Sequence, residues 1–332
     1  MSNLLFVSGI ADHGDIELLS VDPVSGASRY KYEGNCDFYS HLAPAHWQRK
    51  HMVLDATEAS IMLTRGTHGI LNQISDADTH PKVLDRLQNI LHNHPDLPVL
   101  NLPEHVLKTR RDRVYDLLKN VEGVVVPKTI RFQPRLPEHV LEHMEDHQMD
   151  FPVIVRVCGL HGGEDTVRLD GPEDTEKLNV LPLDGRYYYL IEFIDSATDG
   201  VYHKFRIASI QGNTIFRHAR YSDEWLVHYR TGKAFMDNNP EYHKQEQRLI
   251  DHYETDLKPR LDGRFRAIYE KIPLDMAGAD CALLPDGQLL IFEYNASMLF
   301  FASLKEDMDY LIRPISKIKT AVIEALDRKI RH

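Results

Sequence analysis

The stretch from Met276 to Met298, MAGADCALLPDGQLLIFEYNASM, constrains the fold more than any other part of the chain. It predicts two short apolar strands joined at Asp286-Gly287, a favoured two-residue hairpin turn. With that turn Asp280 lies directly opposite Glu293, and strand alternation brings Asn295 to the same face as Glu293. Because two facing carboxylates repel each other, the pattern favours a cation between them.

Two carboxylates and an amide form an all-oxygen set. Such a set suits a hard ion, Mg²⁺ or Mn²⁺, which in proteins typically also takes substrate phosphates as ligands. The alternative is an amphipathic edge hairpin whose acids face water. Pro285 beside the turn could also shift the register by one residue and separate the acids. The hairpin alone leaves these interpretations open.

Size and charge limit the remaining possibilities. The chain has 332 residues, which is enough for two or three domains with real cores. Its formal net charge of −11 argues against a nucleic-acid partner, because phosphate backbones bind basic surfaces.

The cysteines and the apolar runs indicate the compartment. Cys36, Cys158 and Cys281 are scattered without a C-x-x-C motif, as expected of thiols in a reducing compartment. The apolar run from Leu4 to Ile10 is short and lacks a basic region before it, so it predicts a first strand rather than a signal peptide. No run approaches the ~18 apolar residues that span a bilayer. We therefore expect a cytoplasmic protein without a membrane partner.

Residues 1–100 alternate strand and helix signals, which predicts an α/β domain with a parallel sheet. Pro81 begins a helix with one apolar face, between strand-like runs at residues 69–74 and 99–100. Polar residues 72–78 follow a strand, at a sheet end where such folds often bind ligands; ordinary loop residues are the alternative.

A central segment, residues 101–190, begins with an amphipathic helix that carries Arg110, Arg111 and Arg113. A later helix has histidines four residues apart, at 139, 143 and 147. Zinc is one reading of this spacing, but the segment is very polar and lacks H-E-x-x-H, which favours a solvated face.

Two further patterns indicate a bound anion. The strand FPVIVRV carries Arg156 and runs into the glycine-rich turn from Cys158 to Gly163, where backbone N–H groups can approach an anion. In the final segment, residues 191–332, a predicted hairpin about Gly212 clusters four cations. A plain turn and a charged exposed sheet face are the alternatives. The cations of the hairpin are Lys204, Arg206, Arg217 and Arg220.

With these motifs in place, residues 100–300 resemble the ATP-grasp superfamily, of the glutathione-synthetase-like carboxylate–amine or carboxylate–thiol ligase type. ADCALLPDGQLLIFEYNAS is similar to the family's hairpin with Asp on one strand and Glu-x-Asn on the next. The resemblance implies an α/β fold in which an N-terminal domain with a parallel sheet precedes two α+β subdomains that clamp ATP between antiparallel sheets. It also implies ATP and Mg²⁺ (or Mn²⁺) as cofactors.

The resemblance assigns roles residue by residue. The metal ligands would be Asp280, Glu293 and Asn295. Arg156 stands where the family usually has Lys, which keeps the charge but changes its geometry. Either Arg113 or Lys128 would be a further phosphate-binding cation. The remaining implied positions are His161, Gly162 and Gly163 in the lid, Glu192, Phe193 and Ile194 at the adenine, Asp199 at the ribose, and Arg206 and Arg220 at the phosphate or acyl intermediate.

The implied reaction is the joining of a carboxylate to an amine. The carboxylate attacks the γ-phosphoryl group of ATP, and an amine then displaces phosphate from the acyl phosphate. The catalytic cations would be Arg156, Arg206 and Arg220. A kinase that stops after phosphorylation and a catalytically inactive ATP-binding regulatory protein are the alternatives. Small-molecule or peptide carboxylates and amines are the expected partners, and a homodimer is an open option.

Overall fold

Three β-sheets of four or five strands position the site. The computed structural model describes residues 2–42, 47–57, 59, 61, 63, 66–160, 163, 165–296, 300–301 and 309–331.

The strands are β1 (Ser2–Gly9), β2 (Glu17–Val21), β3 (Ser28–Lys31), β4 (Trp47–Leu54), β5 (Thr67–Asn72), β6 (Val99–Leu100), β7 (Val124–Val125), β8 (Thr129–Phe132), β9 (Val153–Val157), β10 (Thr166–Leu169), β11 (Tyr188–Glu192), β12 (Tyr202–Ile210), β13 (Asn213–Ser222), β14 (Met276–Leu283) and β15 (Leu289–Asn295).

The helices are α1 (Phe38–His41), α2 (Pro81–His92), α3 (Pro103–Val106), α4 (Arg111–Leu118), α5 (Glu138–Asp146), α6 (Tyr229–Asn238), α7 (Glu241–Asp256), α8 (Lys258–Lys271) and α9 (Ile312–Arg331). Short 3-10 helices lie at Leu107–Thr109, Pro172–Val180 and Asp309–Leu311.

The N-terminal sheet has the order β4-β1-β5-β6, and all of its pairs are parallel, as predicted. Helix α2 begins at Pro81 and buries Val83, Leu84, Leu87 and Leu91, the face that its apolar spacing indicated. Strand β5 ends at Asn72, so the polar residues that follow lie at the carboxyl edge of the sheet. Strands β2 and β3 form a separate two-stranded sheet.

The central sheet, β10-β9-β11-β8, is antiparallel and has a core of its own. In β9 the residues alternate: Val153, Val155 and Val157 are buried in that core, whereas Ile154 and Arg156 point to the other face. This alternation is what brings a cation to the wall of the site.

The C-terminal sheet, β13-β12-β14-β15-β7, shares its core with the N-terminal domain. Strand β7 pairs in parallel with β15, although it belongs in sequence to the segment that we expected to form the central subdomain. The boundary expected at residue 190 falls inside β11. The core of the central sheet is therefore separate from the core that the N-terminal and C-terminal parts share.

The remaining helices follow the sequence closely. The sequence of residues 241–270 predicts a helical stretch that is broken near Pro259 and Gly263. The structure has two helices there, α7 and α8, that meet at Leu257, close to Pro259, whereas Gly263 lies inside α8 and makes no break. The sequence also predicts a final helix that begins at Pro314, and the structure begins it two residues earlier, at Ile312. None of the described helices is both long enough and apolar enough to cross a membrane.

Candidate active site

A cleft with about 880 Å³ of empty space lies between the central sheet and the C-terminal sheet. Its walls include Ile154 and Arg156 on β9, together with Lys204, Asp280 and Glu293 on the C-terminal sheet. Sites for small molecules and cofactors are typically concave and lined by apolar side chains with a few polar groups, as this cleft is.

Strands β14 and β15 place Asp280 opposite Glu293, as the sequence predicted. The predicted turn is wrong, however. The Leu284 N–H donates to the Gln288 carbonyl at 2.9 Å, which leaves a three-residue loop, Pro285 to Gly287, instead of a two-residue one. Gly287 closes this loop at a φ of +83°, a conformation that favours glycine.

A second irregularity restores the predicted facing. The three-residue loop shifts the register by one, so that Cys281 pairs with Ile291. A bulge at Phe292 then absorbs one residue, and the next pair is Asp280 with Glu293. Two compensating shifts therefore give the arrangement that the simple turn predicted.

Asp280 is buried and is held by two cations. Arg206 Nε and Nη2 donate to its two carboxylate oxygens at 2.8 and 3.0 Å, and Lys204 Nζ lies 3.2 Å from Oδ2. Burial disfavours the charged form, but Arg206 and then Lys204 outweigh it and hold the pKa of Asp280 below its ordinary value. Asp280 is therefore ionised at neutral pH.

Glu293 has a different partner. Arg111 Nη2 lies 3.0 Å from Glu293 Oε2, and Arg111 Nη1 donates to the Phe292 carbonyl at 2.7 Å. Asn295 Nδ2 donates to Glu293 Oε1 at 2.7 Å. Burial opposes the charge on Arg111, but Glu293 more than offsets it, so the pKa of Arg111 is raised. The two facing acids thus have separate cationic partners within the protein.

The donor set fits a hard divalent ion in kind. Asp280 and Glu293 face each other, and Asn295 lies next but one to Glu293 on the same strand. Carboxylate and amide oxygens are the ligands that Mg²⁺ and Mn²⁺ prefer. Over the described ranges, no three His, Cys, Asp or Glu side chains form a metal-binding group, and the candidate set here has two carboxylates and one amide.

Arg156 lies at the junction of the cleft with a second, smaller cavity. Its guanidinium donates to the Leu160 carbonyl at the start of the glycine-rich loop. Burial, and then the neighbouring charge of Arg111, lower the pKa of Arg156 to about 10. Two guanidinium groups close together in a half-buried wall favour a bound anion between them.

Neither Arg113 nor Lys128, the two predicted candidates for a further phosphate-binding cation, lines the cleft. Arg113 is exposed and does not line the cleft, whereas Arg111 does. Arg111 and Arg113 are two positions apart in sequence, which separates their side chains by about 200° around the helix axis. Only one of these arginines can therefore face the cleft. The ammonium of Lys128 donates to the His147 carbonyl, and Lys128 does not line the cleft either.

The predicted adenine segment, Glu192, Phe193 and Ile194, lines the cleft at the end of β11. The Phe193 ring packs edge-on against Trp225 with centroids 6.0 Å apart, and the Arg168 guanidinium lies 3.9 Å from the Phe193 centroid. Glu192 Oε2 accepts the Lys128 N–H at 3.1 Å. An apolar wall with backbone groups beside it suits a flat heterocycle.

Asp199 does not join this group. It lies with Gly200 at the exposed tip of a tight turn, and both residues have positive φ, +52° and +78°. Asp-Gly is favoured in such a turn for its backbone geometry, which explains the residue without a ribose. Asp199 is not among the residues that line the cleft.

Arg206 and Arg220 lie on the same sheet face but have protein partners. Arg206 binds Asp280, as described. Arg220 Nη1 lies 3.3 Å from Oε1 of Glu246, a fully buried residue of α7. Burial raises the pKa of Glu246 even though Arg220 works against the shift. Neither arginine lines the cleft itself.

The predicted lid is described in part. His161, Gly162 and Glu164 lie outside the described residues. Gly163 has a φ of +86°, and a Cβ there would lie 3.1 Å from Leu226 and 3.4 Å from His228. The end of the glycine-rich loop therefore packs closely against residues 226–228, beside the cleft.

Arg111 is the main cleft residue that the sequence interpretation did not name as a site candidate. A signal was available, because Arg111 lies three and seven residues before Val114 and Leu118, which are both buried. That spacing puts it on the inward face of α4.

Comparison with solved structures identifies the architecture. The VanG D-Ala:D-Ser ligase from Enterococcus faecalis is 9% identical with a TM-score of 0.57, covering 98% of this chain and 99% of its own. The D-alanine–D-alanine ligase from Bacillus anthracis, complexed with ATP, is 12% identical with a TM-score of 0.50, covering 98% and 99%. The ATP-grasp ligase PsnB, complexed with minimal precursor, is 14% identical with a TM-score of 0.50, covering 98% and 99%.

At the level of sequence, no protein-family model matches the chain, and no curated protein matches it. Identities of this size relate folds rather than activities. The parallel N-terminal sheet, the two antiparallel-rich sheets and the near-complete coverage agree with one another. The chain has the ATP-grasp fold, as its resemblance to the ATP-grasp superfamily predicted.

Proposed function

We propose that this chain binds ATP with a divalent metal ion in the cleft and uses it to join a carboxylate to an amine. The observation that carries the proposal is the convergence of Arg111 and Arg156 with the facing acids Asp280 and Glu293 at one cleft. Three of the similar structures are named as ligases, and one of them contains ATP. Phosphoryl transfer depends mainly on positioning and charge neutralisation, which these side chains offer.

We assign a binding role to each group of residues that would hold ATP and the metal ion. Glu192 to Ile194, with Phe193 against Trp225, would hold the adenine. Arg111 and Arg156 would hold the phosphates. Asp280, Glu293 and Asn295 would hold the metal ion, which neutralises phosphate charge when bound.

Other side chains support these roles. Arg206 and Lys204 keep Asp280 ionised and fixed in place. Arg220 stays a candidate for contact with the acyl phosphate, once released from Glu246. The glycine-rich loop would exclude water from that hydrolysable intermediate.

The test is a screen of carboxylates against amines with Mg·ATP, measuring ADP and phosphate release and the mass of the product. We expect ADP, phosphate and amide in equal amounts for the correct pair. A phosphorylated product that persists across the whole amine panel would instead identify a kinase. ATP binding without turnover of any pair would contradict both enzymatic readings.

A further inference from the structure

A second cavity, with about 360 Å³ of empty space, adjoins the cleft. The two share three residues, Arg111, Arg156 and Glu293. These are the residues that our proposed function assigns to the phosphates and the metal. A molecule in the second cavity would therefore lie beside the terminal phosphate of ATP.

The far wall of this cavity comes from the N-terminal domain. It is formed by residues 75–78, here called the acidic loop, which follow β5 at the carboxyl edge of the parallel sheet. Ligands bind at that edge in open α/β sheets. The loop carries two carboxylates, Asp76 and Asp78, and both are largely buried.

The acidic loop is held firmly. Asp76 Oδ1 accepts the N–H groups of Asp78 and Thr79 at 2.7 and 3.2 Å. The Tyr189 hydroxyl lies 2.8 Å from each carboxylate oxygen of Asp78, and Arg131 Nε lies 3.4 Å from Oδ1. A site built from fixed side chains binds with a lower ordering cost than a mobile one.

The second cavity is lined by charged side chains of both signs. Asp76 and Asp78 belong to the N-terminal wall, whereas Arg111 and Arg156 also line the cleft. Burial, and then the neighbouring Asp76, raise the pKa of Asp78. A cation bound at the acidic loop would relieve that repulsion, and an anion would be drawn to the arginines.

We propose that the second cavity binds the carboxylate substrate, and that the acidic loop selects substrates that also carry a protonated amino group. This inference rests on the proposed function. The ammonium group lies against Asp76 and Asp78, and the carboxylate points past Arg156 to the ATP. The substrate class is a small molecule with both groups, of which an amino acid is the simplest.

The experiment uses hydroxylamine as a general amine, so that the natural acceptor need not be known. Each common amino acid and its N-acetyl derivative is incubated with the full chain, Mg·ATP and hydroxylamine, and the hydroxamate formed from the acyl phosphate is measured. ATP affinity is measured separately by calorimetry. The variants are Asp78→Asn, Tyr189→Phe and, as a matched control, Asp85→Asn at an exposed position of α2.

We expect at least one free amino acid to exceed its N-acetyl form by about 10-fold or more in kcat/KM, the scale of a hydrogen bond to a charged group. Asp78→Asn removes that preference through KM and leaves ATP affinity unchanged. Asp85→Asn keeps it. Tyr189→Phe also keeps the preference for free amino acids, because the Asp78 carboxylate remains. An equal loss of preference in Tyr189→Phe would mean that Asp78 acts only by holding the structure together, and it would overturn the inference.

The other outcomes are also decisive. N-acetyl derivatives that react as well as free amino acids would overturn the inference and leave the ligase proposal intact. An Asp78→Asn enzyme that keeps the full preference for free amino acids would have the same consequence, as would hydroxamate formed from N-acetyl derivatives alone. If ATP does not bind, or no carboxylate of any kind gives hydroxamate, the proposed function fails and this inference fails with it.

Discussion

At the scale of single residues, the charges of the site depend on Arg111. It pairs with Glu293, donates to the backbone of the same strand, and lies close enough to Arg156 to lower the pKa of that residue. The facing of Asp280 and Glu293 could be predicted from the sequence. Their partners could not, because strand alternation shows which residues share a face and not which side chains from other elements reach them.

Arg111 and Arg113 form a matched pair for a test, since they share one helix and only Arg111 is at the cleft. We expect Arg111→Gln to lower kcat/KM for ATP by about 100-fold, the scale of losing one preorganised electrostatic group. Arg113→Gln should stay within about twofold, because exposed charges contribute little. Steady-state ADP formation measures both. The reverse order would restore Arg113 as the phosphate-binding cation.

Asp280 predicts a pH dependence of stability. Its pKa in the folded chain is below the ordinary value of an aspartate, so its contribution to stability is fully present above that ordinary value and is lost as the pH falls through the folded pKa. Asp280→Asn leaves Arg206 without its carboxylate partner and should cost about 3 kcal/mol at pH 7. Urea unfolding is measured from pH 7 to pH 3. The difference in the free energy of unfolding between wild type and variant should become smaller below pH 4. A difference that stays constant would mean that the pair contributes no charge-dependent stability.

At the scale of elements, the hairpin of β14 and β15 shows what sequence patterns can and cannot fix. Apolar runs located both strands, and the Asp-Gly signal located the turn. The three-residue loop and the bulge at Phe292 each shift the register by one residue, and neither has a signal in the apolar pattern. The predicted facing was therefore right while the predicted turn was wrong, and a single shift would have separated the acids.

The contact between the glycine-rich loop and Thr79, the residue that follows the acidic loop, can be tested with glycine variants. Gly159 and Gly200 have φ values of +76° and +78°, so alanine is strained by about 1 kcal/mol at either position. A Cβ at Gly159 would also lie 2.6 Å from Thr79 Cγ2, whereas one at Gly200 meets nothing within 4 Å. Gly159→Ala should therefore lower the free energy of unfolding by about 1–3 kcal/mol more than Gly200→Ala.

Thr79→Ser removes the obstructing methyl group and keeps the hydroxyl that contacts His80. Combined with Gly159→Ala, it should recover most of the extra loss, which a double-mutant cycle of chemical unfolding measures. Equal losses for Gly159→Ala and Gly200→Ala would show that the glycine-rich loop is not packed against Thr79 in solution.

At the scale of the whole molecule, the order of elements was the most predictable property. Alternating strands and helices gave the parallel N-terminal sheet, and the motif order gave the ATP-grasp fold. The pairing of β7 with β15 and the core shared by the N-terminal and C-terminal parts were not predictable, because contacts between segments far apart in sequence leave no periodic signal. Those contacts are what bring Arg111, on α4, to Glu293 on β15.

The account depends most on one claim, that the facing acids and the two half-buried arginines of the cleft receive a metal-bound triphosphate. The most direct test is a crystal structure of the chain with Mg²⁺ and a non-hydrolysable ATP analogue. We predict phosphate oxygens in contact with Arg111 and Arg156, and an ion coordinated by Asp280 and Glu293. A nucleotide bound elsewhere, or one bound in the cleft while both acids keep only their arginine partners and no ion, would contradict the claim.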